Sequence, residues 1–414
     1  MAENGTYPST DPVVYEEYAG KWADQPQDAD SWVKRAQDIA SVLEKDASAR
    51  ERENKSPRAE VSLLKHSGLT KILGPKKYGG GEQPWSVGYK AIREVAKADG
   101  SIGMLLGYHL LWSTTANVVG SLEQADRLQK LILSNNYFIG GAVNPRDNDL
   151  RITDSGDKIT FGRKHFNTGG VVSDLTVLEG VLGTEDHIFA IVPTVQAGIK
   201  FAHNWDNVGL RLTESGGVSI EDVAAPWEDA LGWDVKTKRP DPAVLGIPFA
   251  MRRLILYGSI QLVFSNFYLG IALGALQYAS KYTVSSSRAW PFGGDGNFLA
   301  HLRAAEALAD KAGQAADAVY TKYPSNKADV TARERGELAE WVASIKVVAT
   351  DTGLKVTSGL FEATGAKATA TKVGLDRFWR DIRTHTLHDP VSYKNRELGR
   401  YQLLDEVPEP TWYA

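Results

Sequence analysis

The sequence has no cysteine in 414 residues. Disulfides, thiolate metal sites, iron–sulfur clusters and cysteine nucleophiles are thereby excluded. It also lacks an excess of charge of either sign: 47 Lys+Arg stand against 51 Asp+Glu, a formal net charge of −4. That balance argues against nucleic acid as a partner and gives no attraction to anionic membranes. The opening MAENGTYPSTDPVVYEEYAG has neither a basic n-region nor an apolar stretch, so no secretory signal is expected. The final Trp-Tyr-Ala is not a peroxisomal tripeptide. Uncharged runs are scarce as well. One such run, Leu254 to Leu276, covers 23 residues, but Ser259, Gln261, Ser265 and Asn266 lie inside it. A central helix buried on most sides is the better reading than a membrane span. A cytoplasmic protein is the expectation.

What is present falls into three zones. Between Asp28 and Asn136 apolar residues recur at helical spacing, as in Trp32, Ala36, Ile39 and Leu43. Pro57 suits a helix start and Gly68 a helix stop, and Asp99-Gly100-Ser101 reads as a turn between helices. From Tyr137 the period changes to short β-branched runs such as Lys158-Ile-Thr-Phe and His187-Ile-Phe-Ala-Ile-Val, divided by Gly, Asp and Pro. These predict a compact antiparallel β-domain of roughly six to eight strands. Helical spacing then returns, with helices expected over 247–282, 298–323, 331–364 and 375–384 and another after Pro390. The resulting division is an N-terminal extension (1–27), a helical domain (28–136), a β-domain (137–243) and a helical bundle (244–414).

Several local patterns accompany this order. Leu73-Gly-Pro-Lys-Lys-Tyr-Gly-Gly-Gly is followed by Ala91-Ile-Arg-Glu-Val-Ala-Lys-Ala-Asp-Gly-Ser, and later by Val208-Gly-Leu-Arg-Leu-Thr-Glu-Ser-Gly-Gly and Pro226. Together they resemble the acyl-CoA dehydrogenase fold. That resemblance implies a mixed α and β architecture, in which a middle antiparallel β-barrel or sandwich lies between an N-terminal helical domain and a C-terminal four-helix bundle. It also implies a flavin between the β-domain and the C-terminal helices, and a homotetramer.

The C-terminal signature narrows the branch. With Arg380-Asp381 set on the fold's Arg-Asp pair, the chain continues Thr384-His385-Thr386-Leu387-His388-Asp389-Pro390. Asp389 falls where the dehydrogenases carry a catalytic glutamate. It is one methylene shorter and followed by proline, with imidazoles beside it. Joined to Gly107-Tyr108-His109-Leu110, Lys164-His165-Phe166, Ser287-Arg288-Ala289-Trp290 and Phe378-Trp379-Arg380, the signature resembles the flavin-dependent monooxygenases related to dibenzothiophene monooxygenase.

That resemblance implies a two-component enzyme. A separate NAD(P)H:flavin reductase supplies reduced FMN (FMNH2), and O2 is activated as a C4a-hydroperoxyflavin. An oxygen atom then goes to sulfur or nitrogen of a small apolar, dibenzothiophene-like substrate. No G-x-G-x-x-G follows a strand, consistent with an outside source of reduced flavin. FAD is the less favoured flavin, because Lys367 stands where the dehydrogenases have a glycine-rich stretch. Two other readings stay open: an FAD-dependent acyl-CoA dehydrogenase or oxidase using Asp389, and a non-catalytic flavin-binding or assembly protein.

Under the resemblance His388 is the first choice for stabilising and protonating the developing peroxide, with His385 supporting it. An imidazole ionises near ~6.5 and so passes protons near neutrality. A satisfied pair of helix-end histidines is the alternative, and no metal is expected there. Tyr108 would bond the peroxide or shape the pocket, and neighbouring His109 points about 100° away as a structural group. Phe166 would pack on the isoalloxazine, and the Thr168 hydroxyl would bond near flavin N5. Trp205 would line the same site or belong to the β-domain core. Arg288 and Lys367 would reach the flavin phosphate unless they serve in surface ion pairs. Asn144 would take on work that asparagines perform in relatives, where this chain reads Gly140-Gly141-Ala142-Val143.

Overall fold

Asp28 accepts a hydrogen bond from the Ser31 N–H while the Ser31 hydroxyl faces back to Asp28, a reciprocal cap that starts the first helix. The computed structural model describes residues 8–143, 150–162, 167–184, 186–245, 249–286, 297–323, 329–388 and 390–408. Seven helices form the N-terminal part: α1 (Ala29–Leu43), α2 (Ala47–Glu53), α3 (Arg58–Ser67), α4 (Trp85–Ala98), α5 (Gly100–Ser113), α6 (Thr115–Val119) and α7 (Leu122–Ser134). The expected periodic set Trp32, Ala36, Ile39 and Leu43 is the buried face of α1. α3 ends at Gly68 in the left-handed region with φ 76°, the conformation glycine adopts at least cost. Ahead of α1, Pro12–Tyr18 forms a short 3-10 helix whose Tyr15 and Tyr18 are buried. The Thr10 hydroxyl beside it donates to Glu60 of α3 at 2.7 Å.

Among the described residues ten strands follow: β1 (Ile139–Ala142), β2 (Arg151–Asp154), β3 (Lys158–Phe161), β4 (Leu175–Leu182), β5 (Asp186–Pro193), β6 (Ile199–Phe201), β7 (Val218–Ile220), β8 (Val223–Pro226), β9 (Trp233–Asp234) and β10 (Arg239–Pro240). A six-stranded sheet runs β1-β4-β2-β3-β8 with β5 also on β4, and β6–β7 and β9–β10 are separate pairs. The expected antiparallel pairing holds for β2–β3, β3–β8, β4–β5, β6–β7 and β9–β10, and is corrected along one edge. β1 and β2 lie end to end along one edge of β4, both parallel to it. The β2–β3 hairpin between β1 and β4 in sequence provides the excursion that brings β4 back in the same direction. Ile152, Phe161, Leu178, Ile188 and Trp227 form this domain's own core.

The C-terminal part holds α8 (Pro242–Leu245), α9 (Phe249–Ser286), α10 (Phe298–Lys322), α11 (Ala332–Thr364), α12 (Asp376–His385) and α13 (Val391–Leu404). The long uncharged run forms the middle of α9. Ile260–Ser286 is long and apolar enough to cross a membrane, yet 89% of its most apolar window is buried within this chain. Its apolarity serves the core, where Phe264, Phe267, Tyr268 and Ile271 are fully covered. α11 starts just after Thr331, which forms a reciprocal cap with Glu334.

Candidate active site

Asp381 ties three parts of the chain together. It lies on α12, and its Oδ1 accepts the Leu210 N–H at 2.7 Å. A β-carbon built on Gly100, at the start of α5, would fall 2.8 Å from Asp381 Oδ2. Burial pushes the Asp381 carboxyl up to about 7, against the Leu210 N–H, which favours the charged form. The next contact is closer still: a β-carbon on Gly209 would meet the Arg380 carbonyl carbon at 2.3 Å. The Arg380 guanidinium donates to the Val208 carbonyl at 2.8 Å and to Glu51 of α2 at 2.5 Å. The Val208-Gly-Leu motif is thus the part of the β-domain that seats on α12. Asp99 completes the frame. Its Oδ1 caps α5 by accepting the Ile102 N–H, and its Oδ2 takes a buried ion pair from Arg50 at 2.8 Å.

The framed helices bring an aromatic cluster around His385, which is buried. His385 Nδ1 lies 2.7 Å from the Tyr268 hydroxyl and Nε2 3.4 Å from the Tyr108 hydroxyl. The Phe264 and Phe267 rings stand edge-on to it at 4.4 and 4.9 Å. His388 is exposed and stacks on His385 with ring centroids 5.2 Å apart and planes 5° apart. Behind Tyr268 lies Lys346 of α11, fully buried, with Nζ 3.3 Å from the Tyr268 hydroxyl and 5.0 Å from the Phe264 ring centre. Lysine is almost never fully covered without polar or π partners to replace its water.

The cluster continues to the β-domain. Tyr108 meets Trp112, one turn along α5, in an edge contact at 6.0 Å. The Trp112 indole lies on β1, where a β-carbon on Gly141 would fall 2.4 Å from Trp112 Nε1. Only glycine leaves room for the ring. Gly141 in turn pairs with Thr168 through two backbone hydrogen bonds of 3.2 and 3.0 Å. The half-buried Thr168 hydroxyl shares a 3.1 Å hydrogen bond with Ser215. Trp205 is half-buried and donates from Nε1 to the Leu210 carbonyl at 2.8 Å, which fixes it on the same loop that seats on α12.

Polar groups left over along this wall fit a heteroaromatic cofactor. Trp112 Nε1 and both Asn167 side-chain atoms are buried with no hydrogen-bond partner among the described residues. Such groups cost about 1–3 kcal/mol each unless something bonds them. They flank Thr168 and Gly141, where a ring system bearing donors and acceptors would satisfy them.

The structure therefore gathers four of the sequence candidates, Tyr108, Thr168, His385 and His388, along one continuous line of contacts, with Trp205 on the adjoining loop. Asn144, Phe166 and Arg288 lie outside the described residues, as does Asp389. Lys367 is exposed just past the end of α11, about 27 Å along that helix from Lys346, taking 364 − 346 = 18 residues at ~1.5 Å each. Within one chain it does not join the cluster. His109 is a scaffold residue: Nε2 donates to the Thr70 carbonyl at 2.8 Å, Nδ1 accepts the Ile139 N–H at 3.0 Å, and the ring stacks on Phe138. Complete burial holds its pKa down at about 4. Sequence reasoning missed Trp112, Asn167, Phe264, Tyr268 and Lys346. Trp112 was legible four residues after Tyr108 on the same helix face, and Lys346 as a lone cation within Val342-Ala-Ser-Ile-Lys-Val-Val-Ala.

Residues 28–135 match the acyl-CoA dehydrogenase N-terminal domain, and residues 296–393 match the acyl-CoA dehydrogenase C-terminal domain. The chain is 38% identical to the dibenzothiophene monooxygenase of Mycolicibacterium goodii over 87% of its own length and 91% of the relative's. The methanesulfinate monooxygenase MsuC of Pseudomonas fluorescens superposes with a TM-score of 0.84 at 33% identity, covering 92% of this chain and 99% of that one. A complex of the dibenzothiophene monooxygenase TdsC from Paenibacillus sp. A11-2 with FMN and indole gives 0.83 at 33% identity, covering 93% and 100%. By full-length likeness the chain belongs to the dibenzothiophene monooxygenase family, the flavin-dependent monooxygenases built on the acyl-CoA dehydrogenase fold.

Proposed function

We propose that the chain uses reduced FMN and O2 to add one oxygen atom to the sulfur or nitrogen of a small, mostly apolar molecule held against Trp112, Tyr108 and Phe264. The observation that carries this reading is the buried imidazole of His385, bonded to two tyrosines and joined through Trp112 and Gly141 to Thr168. Thr168, Trp112, Asn167 and Trp205 would hold the flavin ring, with Phe166 and Asn144 beside them. Arg288 and Lys367 would take its phosphate across a subunit contact in a homotetramer. Reduced FMN, when bound, supplies the electrons that activate O2.

The residues do the rest. Tyr108, backed by the His385 Nε2 side, presents a hydrogen-bond donor where negative charge develops on oxygen. His385 ranks ahead of His388 as the proton-handling group, because it is buried and bonded on both nitrogens while His388 is exposed. His388 would close the outer side of the stacked pair. The aromatic wall keeps water from the reacting atoms and offers soft, flat surfaces to an aromatic or thioether substrate. With no dinucleotide fingerprint in the chain, a separate NAD(P)H:flavin reductase supplies the reduced cofactor, in the cytoplasm.

The test is a screen of organosulfur compounds and amines with FMN, a generic flavin reductase and NADH, read by mass spectrometry. Gain of one oxygen atom, traced to labelled O2, is expected. Failure to bind reduced FMN anaerobically would retire the reading in favour of a non-catalytic role. Flavin bleaching by an acyl-CoA with a dye acceptor would favour the dehydrogenase.

A further inference from the structure

Lys346 has no part in the sequence-derived site, yet it is the buried cation nearest His385 along the described hydrogen bonds. Its Nζ donates to the Tyr268 hydroxyl at 3.3 Å, and that hydroxyl lies 2.7 Å from His385 Nδ1. We propose that Lys346 and Tyr268 are positioning residues that hold neutral His385 in one tautomer, with its proton on Nε2, directed at Tyr108. The proposal rests on the reading of His385 as the proton-handling group.

An ammonium has three donors and no acceptor, so the Tyr268 oxygen accepts at the lysine. A cationic donor polarises the hydroxyl, which strengthens its O–H as a donor and weakens its oxygen as an acceptor for a second proton. Tyr268 therefore donates to His385, Nδ1 accepts, and the neutral ring carries its hydrogen on Nε2. Nε2 is the nitrogen facing the Tyr108 hydroxyl at 3.4 Å. The direction Lys346 to Tyr268 to His385 to Tyr108 leads from the bundle core toward the aromatic cluster. Phe264 reinforces it, lying edge-on to the His385 ring and beneath Lys346 Nζ. With the lysine replaced by an apolar chain, the same Tyr268 oxygen could accept from an Nδ1–H, and the bias that the lysine imposes on the direction would be lost.

The experiment reads the tautomer directly, on the intact protein without flavin or substrate. Solid-state 15N NMR of histidine-labelled protein resolves protonated from bare ring nitrogens, and His385→Gln identifies its signal among the eight histidines. The wild type is expected to show Nε2 protonated and Nδ1 bare. Lys346→Met should raise the Nδ1–H population at least about fivefold, the factor matching one net hydrogen bond, and Lys346→Arg should restore the wild-type pattern. Tyr268→Phe, which removes one oxygen atom, gives a second route should Lys346→Met fail to fold. It should shift the bare Nδ1 resonance. A wild-type Nδ1–H tautomer, or a pattern indifferent to both variants, overturns the proposal. Absence of oxygenated product from the wild type would instead count against the oxygenase reading and leave the tautomer result standing.

Discussion

The Leu210 N–H donates to Asp381 Oδ1 at 2.7 Å, a bond that, beside the one from Arg380 to the Val208 carbonyl, ties the loop that fixes Trp205 to the helix that ends in His385. The close approach of Gly209 to the Arg380 backbone makes that bond possible. Gly209→Ala places a methyl carbon on a carbonyl carbon that belongs to a helix and cannot step aside. A loss of about 1–3 kcal/mol is expected, as for other overpacked contacts. Chemical denaturation gives the figure, and a change in Trp205 fluorescence should accompany it. Unaltered stability would mean that the loop does not seat on α12.

Asp381 also gives a pH signature. Its pKa rises on folding from an ordinary 3.8 to about 7, chiefly by burial. A carboxyl raised in this way binds its proton more tightly in the folded state. Its contribution is complete below pH ~4 and is lost as pH rises through about 7. Asp381→Asn keeps an acceptor for Leu210 and never ionises. The variant should gain on the wild type between pH 4 and 8 by roughly 3–4 kcal/mol, an order-of-magnitude figure. Parallel stability curves for the two proteins would show that Asp381 keeps an ordinary pKa.

His109 works in the opposite sense over much of the same range. Its folded pKa falls from 6.5 to about 4, again by burial. The unfolded chain therefore takes up the proton first. Stability from His109 is complete above pH ~6.5 and is lost as pH falls through about 4, by roughly 3 kcal/mol. His109→Gln retains a donor for the Thr70 carbonyl but no titrating ring. Its stability relative to the wild type should improve as pH falls from 6.5 to 4, and urea unfolding at several pH values measures this.

Much of the scaffold could be read from residue patterns. The helix over 298–322 lies one residue from its expected end, α11 begins one residue inside the expected 331–364, and β3 coincides with Lys158-Ile-Thr-Phe. These are local properties of period and capping. The parallel pairing of β1 and β2 with β4 was not legible, because strand direction is decided by long-range contacts that leave no mark on short β-branched runs. The cluster was read in halves. Tyr108, His385 and His388 came from residue type and resemblance, whereas Phe264 and Tyr268 were hidden in a run whose apolarity suggested only burial. Lys346 and Trp112 carried a signal, but a single charge or indole in a helix gains meaning only when three helices bring it to an imidazole.

Thr168→Ala tests the β-domain edge of the site. The hydroxyl bonds Ser215 and is only half-buried, so its loss should cost little stability. Affinity for FMN, followed by anaerobic titration of the reduced form, should fall about 3- to 10-fold, the worth of one hydrogen bond. An unaltered affinity would remove Thr168 from the flavin site while leaving the rest of the reading in place.

The stacked histidines separate the two candidate proton donors. His385 is covered and bonded to Tyr108 and Tyr268, while His388 is more exposed, stacking on His385 and meeting the Phe264 ring edge-on at 5.4 Å. A group that handles a proton in a water-excluded site contributes about 10²- to 10⁴-fold. A group that only closes the outer side contributes less, because solvent can stand in for it. His385→Asn should therefore lower product formation by about 10² or more, with hydrogen peroxide released in its place. His388→Asn should lower it by about 10-fold or less. The ratio of oxygenated product to hydrogen peroxide per NADH consumed decides between them. A larger loss in the His388 variant would transfer the proton-handling role to the exposed ring, and the buried pair of tyrosines would then be structural.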